Sequence, residues 1–400
     1  MHSRGIRRGG WRKNHRDWKG ERGMSAAGLI FSNIHDQVIK ELTQNRTMAS
    51  VPFGCRYRLI DFTLSNMVNS DITKIGLITH NNYQSLFDHI GNGKDFDLAR
   101  RSGGLKILPP FISSFASPIP DRLYTTRLEA LMGVMSFLRN CKEEDIILSD
   151  CDAICNVDLG EVLEQHKETG ADVTVVVANY TFGKYELHAN VVCVEADENG
   201  RLTALSKARP TEGKRLISTN ILVIRRAYLI ALVEYAAARG YKDFYLDSLL
   251  PVLARDNIYL YEHKRYYAVI GSLEGYYACN MELLDPAIHR ELFGVEGFPI
   301  YTKVRNSAPT KYTENADVKN SYVADGCVVD GTVENSILFR GVTVGRGSVI
   351  RNSIVLQDAV IGNGVTMNCV ITDKGVIVRD GRMLSGHETL PFFIAKGTRV

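Results

Sequence analysis

Residues Val51–Ser70 read V-P-F-G-C-R-Y-R-L-I-D-F-T-L-S-N-M-V-N-S. A proline and a glycine break the start of the stretch, and two arginines, Arg56 and Arg58, stand on alternate residues. An amphipathic run follows, in which Ile60, Leu64, Met67 and Val68 share one helical face. Taken alone, this is a loop entering a helix beside something anionic, with Asp61 placed to cap the helix or loop.

Outward from it, short apolar runs alternate with helical periodicity. Strands are expected at Gly28–Phe31, Lys74–Thr79, Asp145–Leu148 and Val173–Ala178, and helices at Asp36–Thr43, Tyr83–Ile90 and Leu159–His166. Strands in alternation with helices predict an α/β domain with a largely parallel sheet. The glycine-, proline- and aromatic-rich segment 91–123 interrupts the rhythm, and a loop that long inside a domain is usually functional. Leu128–Leu138, Tyr228–Ala238 and Leu246–Leu253 carry helical spacing, and Val191–Val194 and Ile221–Ile224 read as strands.

The last ninety residues follow another rule. Aliphatic residues recur every five or six positions and come into register at about sixteen: Val328, Val344, Val360; Val333, Val349, Val365; Ile337, Ile354, Val370. Glycine and asparagine punctuate the runs, which predicts a parallel β-helix of hexapeptide repeats. Tyr322 at one end and the segment 384–400 at the other are placed to cap it. The expected organisation is a disordered basic extension at 1–23, an α/β domain at 24–285, a linker at 286–312 and the β-helix at 313–400.

With 45% apolar and 23% charged residues, the 400-residue chain has the composition of an ordinary two-domain protein. No apolar run approaches the length of a membrane span, so no membrane partner is expected. The eight cysteines are scattered without a C-x-x-C pair, which suggests reduced thiols and a cytoplasmic protein rather than a zinc site or a disulfide framework. Residues 1–23 hold eight Lys/Arg against two acids, so the formal charge of +3 belongs to this tail and the remainder is acidic. The tail reads as an extension ahead of a natural-looking start at Met24 rather than a nucleic-acid arm, and no nucleic-acid partner is expected.

Val51–Ser70 also resembles, nearly residue for residue, the V-x-F-G-G-K-[FY]-R-[LI]-I-D-F-x-L-S-N-x-x-N-S signature of the glucose-1-phosphate adenylyltransferase (ADP-glucose pyrophosphorylase) family. Ile270–Asn280 resembles the family's V-G-T-L-E-A-Y-[WY]-x-A-N motif. The resemblance implies a Rossmann-like nucleotidyltransferase domain followed by a left-handed parallel β-helix. It also implies a reaction in which backbone amides, Arg/Lys and a carboxylate-held magnesium position a triphosphate and a sugar phosphate.

Against that pattern the chain shows losses. Where the family has a glycine-rich triphosphate loop, an ungapped alignment puts Asn33, Ile34 and Asp36 at the glycines, Val38 at the triphosphate arginine and Met48 at the activator lysine. The base and ribose motif G-T-A-D-A becomes Thr126–Ala130, keeping only the acidic position, Glu129, and Ala130. Spacing to Asp158 assigns the metal-binding and catalytic aspartate to Asp152, expected to be vestigial in that role, with Asp150 as the alternative. Two acids two apart on an extended segment reach one site only across a turn. The second metal carboxylate falls on Val269, which cannot ligate magnesium, so the family's magnesium is expected to be weakly held or absent. For the sugar phosphate, Arg209 replaces the family's lysine, Ser218 is retained, and Lys207 adds charge; Arg58 is a further anion-binding candidate.

This set of replacements resembles the GlgD-type regulatory subunit of the family. It implies a weakly or non-catalytic protein that modulates ADP-glucose supply for glycogen synthesis as a heterotetramer with a catalytic subunit, or as a homo-oligomer alone. A sugar phosphate or nucleotide would be its effector. An active adenylyltransferase is the alternative. A hexapeptide acyltransferase is the remote one, since Val318–Val378 contains no histidine.

Overall fold

The computed structural model describes residues 26–109 and 124–400. The extension at 1–23 and residues 110–123 of the long loop lie outside the described residues.

Ala26–Phe31 is the centre of the first domain. Every one of its residues is buried, and alternate side chains serve opposite faces of the sheet, as a period-two strand requires. Leu29 and Phe31 pack with Leu128, Leu131 and Val233 on one side, while Ile30 packs with Ile60, Leu64 and Met67 on the other. The helix face read from Ile60, Leu64 and Met67 is therefore the one that covers the sheet. Helix Leu59–Asn69 lies so close that a Cβ on Gly28 would meet the Met67 sulfur at 2.4 Å. Asp61 closes its N-terminus: the carboxylate accepts from the Arg58 amide at 3.0 Å.

Ala26–Phe31 pairs in parallel with Lys74–Ile78 and with Asp145–Asp150, and Gly104–Leu108 extends the sheet beyond Lys74–Ile78. On the other side the sheet is mixed, not largely parallel. The long strand Gly213–Arg225 runs antiparallel to Asp145–Asp150 and to Val173–Phe182, and Val191–Ala196 and Leu202–Ala208 continue to the edge. The expected helix at Asp36–Thr43 shortens to Lys40–Thr43, because Asp36 commits its side chain to local backbone and amide donors.

The segment 286–312 opens with a helix, Pro286–Phe293, whose N-terminus is capped by the Asp285 carboxylate. Phe293 stacks on Tyr57 with centroids 5.0 Å apart, and the Tyr301 amide donates to Ser65 Oγ at 2.8 Å, so the chain is pinned across the first domain.

From Lys311 onward three five-stranded parallel sheets form the faces of a left-handed β-helix. Its coils are not uniform. Val328 stacks on Thr343 and Thr343 on Val360, steps of fifteen and seventeen residues. The series Val328, Val344, Val360 is therefore not one ladder: Val344 stacks on Val329 and is fully buried, whereas Val328 and Val360 face outward. A side-chain period of two means that one residue of slip changes face.

The third sheet, carrying Ile337, Ile354 and Ile371, turns its outer side to the first domain. There it shares a core with Met48, Val51, Phe53, Phe62 and Tyr276. At the same junction Arg46 Nη2 donates to both oxygens of Asp373, at 2.8 and 2.7 Å, with both side chains almost fully buried. The hairpin Pro52–Arg58 enters this contact through a turn in which Gly54 and Cys55 both have positive φ (56° and 76°). The Cys55 thiol reaches the Leu338 carbonyl at 3.3 Å. Tyr276 and Tyr277 belong to the packing, donating to Pro52 O at 2.7 Å and Asn352 O at 2.6 Å.

Candidate functional site

Ala26–Phe31 and Asp145–Asp150 end side by side, Phe31 opposite Asp150. In open α/β sheets ligands bind just beyond such carboxyl ends. A cavity of about 180 Å³ lies there, bounded by His35, Arg127, Asp150, Asp152, Ser218 and Val269 among others.

The loop that leaves the first strand folds in on itself. Asn33 Oδ1 accepts from Ser32 Oγ, Thr79 Oγ1 and the His80 amide at 2.7, 3.0 and 3.1 Å, while Asn33 Nδ2 donates to Asp36 Oδ2 at 2.6 Å. The other Asp36 oxygen accepts from the Met48 amide at 2.6 Å. The amides of Asp36 and Val38 turn back to the carbonyls of Asn33 and His35. Two of the amides that a glycine-rich loop would present to a phosphate, those of Asp36 and Val38, are thus spent on the loop itself. Burial pushes the Asp36 carboxyl up to about 6 against those hydrogen bonds.

Asp150 ends its strand, the chain bends at Cys151 and Asp152, and Ala153–Cys155 pairs antiparallel with Tyr267–Val269. This bend brings both acids to one site. His35 Nε2 lies 2.7 Å from Asp150 Oδ2 and 3.5 Å from Asp152 Oδ2. On the other side Arg127 Nη2 donates to Asp150 Oδ2 at 2.5 Å. Arg127 is the first residue of helix Arg127–Gly133, and Thr126 and Glu129 form the capping box that fixes this turn. Its guanidinium is boxed by the rings of Phe31, Phe244 and Tyr245 at 5.7, 5.8 and 5.3 Å.

The charges follow from these neighbours. Burial would lower the His35 imidazole, but the Asp152 charge and the Asp150 hydrogen bond outweigh it and raise the ring to about 9. Burial pushes Asp150 up, yet Arg127 and His35 together hold it below the ordinary carboxylate range. Burial raises Asp152; His35 opposes the rise and the like charge of Asp150 adds to it. Asp150 Oδ1 and Asp152 Oδ1 are buried and without a partner among the described residues.

The sequence-derived candidates divide between two places. Asp152, Ser218, Lys207 and Val269 line the cavity. Ser218 Oγ lies 2.9 Å from the Tyr245 phenol, and Lys207 pairs with Asp243. The Ile270 amide donates to Asp152 O at 2.9 Å, which sets the Val269 strand beside Asp152. Arg209 stands exposed just past strand Leu202–Ala208, away from the cavity lining. Arg58 is buried at the domain junction and donates to Ser85 O and Ser85 Oγ at 2.5 and 3.0 Å. Around it are Arg46, Arg305 and Lys374. Burial first, then the charges of Arg58 and Arg46, with Arg305 adding to them against Asp373, pull the Lys374 amine down to about 6.

Sequence reasoning passed over His35 and Arg127. The signal for Arg127 was a long cation at a position of the base and ribose motif where the family has threonine. His35 left none, since it sits inside the loop that matches poorly.

His35, Asp150 and Asp152 bring one ligand atom each within 4.8 Å of one another. As a donor set for magnesium they do not fit. Magnesium needs near-octahedral hard oxygens, whereas Asp150 Oδ2 is already taken by a guanidinium and an imidazole, and Val269 offers hydrocarbon. Among the described residues no helix is long and apolar enough to cross a membrane.

Comparison with known proteins accords with both domains. Residues 39–285 match the nucleotidyl transferase family and residues 307–388 the GlmU-like C-terminal hexapeptide family. The chain is 34% identical over 372 residues to the glycogen biosynthesis protein GlgD of Bacillus subtilis (strain 168), covering 92% of this chain and 95% of that protein. It is 35% identical over 379 residues to the glycogen biosynthesis protein GlgD of Geobacillus stearothermophilus, covering 93% and 96%. The glucose-1-phosphate adenylyltransferase of Bacillus cytotoxicus is 31% identical over 360 residues, covering 88% and 92%.

Proposed function

The chain belongs to the glucose-1-phosphate adenylyltransferase family, and from that premise we propose that it is a regulatory, weakly or non-catalytic subunit in glycogen biosynthesis. It modulates a catalytic partner that converts ATP and glucose 1-phosphate to ADP-glucose and pyrophosphate. The observation that carries this reading is the self-satisfied loop after the first strand: Asn33 and Asp36 absorb the donors and place a carboxylate where a triphosphate would lie. Transfer of a nucleotidyl group depends on positioning and charge neutralisation at that point, and an acid there does the opposite.

The sugar side keeps more. Ser218, Asn220 and Lys207 line a cavity whose volume, about 180 Å³, is below the roughly 300–1,000 Å³ of sites for larger ligands. It suits a monosaccharide phosphate; a second cavity of about 600 Å³, which shares Ile34 and Thr125 with it, lies against Asn33 and Asp36, where the family's triphosphate loop is replaced. At the domain junction Arg46, Arg58 and Arg305 gather positive charge around Asp373, next to the Lys374 amine that they hold down to about 6, which suits a phosphorylated effector, a sugar phosphate or a nucleotide.

The test is enzymatic. The purified chain with ATP, glucose 1-phosphate and magnesium should turn over negligibly, and adding it to a catalytic relative should produce a mixed oligomer with altered kinetics. Turnover near that of the catalytic relative, or two species that purify apart with unchanged kinetics, overturns the proposal.

A further inference from the structure

Magnesium is what the family resemblance implies for the cavity, and the residues there do not fit it. We propose that Arg127 is the fixed cation of the cavity: beside His35, it neutralises Asp150 from within the protein in place of a divalent metal, so that a hydroxyl-rich phosphate ester binds there without one.

Three observations carry this. Arg127 is 7% exposed, lies 2.5 Å from Asp150 Oδ2, and is held on three sides by aromatic rings. A guanidinium so enclosed stays when a ligand enters, and in water-poor surroundings it repels a second cation at the same carboxylate. The position that resembles the second metal ligand is Val269, buried and hydrocarbon, fixed beside Asp152 by the Ile270 amide. The acids are nonetheless not fully used: Asp150 Oδ1 and Asp152 Oδ1 are buried acceptors without a donor among the described residues. Buried acceptors require donors, and next to a fixed guanidinium the fitting donors are hydroxyls, with Lys207 at the same cavity for the phosphate. The identity of the ligand rests on the reading given above; the role of Arg127 does not.

The experiment separates the two. The full-length protein is titrated with Mn²⁺, with the free ion followed by electron paramagnetic resonance, and with glucose 1-phosphate by calorimetry in EDTA and in magnesium. Wild type should leave micromolar Mn²⁺ free, and its glucose 1-phosphate affinity should change by less than about twofold between the two buffers. Arg127→Met, which leaves Asp150 and Asp152 without the guanidinium, should bind Mn²⁺ at least about tenfold more tightly than wild type. Stoichiometric Mn²⁺ uptake by wild type that Asp152→Asn abolishes, or a folded Arg127→Met protein with no gain in Mn²⁺ affinity, overturns the proposal. Circular dichroism reports folding, and if the variant does not fold the wild-type Mn²⁺ titration decides alone. Absence of glucose 1-phosphate binding in both buffers overturns the sugar-phosphate reading, while the Mn²⁺ measurements still judge Arg127.

Discussion

Arg46→Met should destabilise the protein by about 3 kcal/mol, the lower end of the roughly 3–5 kcal/mol expected when one partner of a buried ion pair is removed. Arg46 and Asp373 are 3% and 4% exposed, and both contacts are charge-assisted, at 2.8 and 2.7 Å. Without Arg46 the Asp373 carboxylate keeps the Lys374 amide at 2.7 Å as its remaining named donor. Compensation is at hand, which sets the lower end. Lys374 is held at about 6 by burial and by Arg58 and Arg46, so loss of Arg46 lets its amine take up a proton beside Asp373. The double variant Arg46→Met/Asp373→Leu removes both charges and should lie within about 1 kcal/mol of wild type, about 2 kcal/mol more stable than Arg46→Met alone. Urea unfolding followed by circular dichroism measures each protein, and a single transition is expected because the domains share one core. A loss below about 1 kcal/mol in the single variant, or a double variant no better than the single, refutes the argument.

Three further outcomes are expected. Asp36 has a folded pKa of about 6 against 3.8, so the folded state binds the extra proton and stability should fall as pH rises from about 4 to about 6, by up to about 3 kcal/mol; Asp36→Asn should flatten that slope in urea unfolding at successive pH values. Cys55 holds φ 76°, so Cys55→Gly should be more stable than Cys55→Ala by about 1 kcal/mol in the same assay, both having lost the thiol contact with Leu338. Val269→Asp restores the missing family carboxylate but leaves Asp36, Asn33 and Arg127 in place, and should give no measurable adenylyltransferase turnover with ATP, glucose 1-phosphate and magnesium.

Local periodicity was a reliable guide where one element decides the matter. The face of helix Leu59–Asn69 and the run Gly28–Phe31 could be read directly, although the strand begins two residues earlier, at Ala26, because burial on a known face is written in the residues that fill it. What depends on a partner could not. Nothing local tells Gly213–Arg225 to lie antiparallel between Asp145–Asp150 and Val173–Phe182. The β-helix was legible as a β-helix, but coils of fifteen and seventeen residues average to sixteen and hide which valine faces inward. In the site, Asp152 and Val269 come together because the strand that follows Asp152, Ala153–Cys155, pairs with Tyr267–Val269. Arg58 and Arg209 did not join them, because a cation's presence in a motif does not reveal the direction of its side chain. His35 meets Asp150 across 115 positions of sequence, and Arg127 reaches it from the helix that Thr126 caps, contacts that no local pattern records.

His35 lines the cavity and Arg46 grips the β-helix, and they are eleven positions apart on one segment. Between them lie a turn-rich loop and the single helical turn Lys40–Thr43. The cavity and the domain junction are thus joined by a covalent tether. Thr43, which donates to the Asp36 carbonyl, and the buried Ile39 and Leu42 anchor this tether midway, so that one short segment holds both the cavity and the junction.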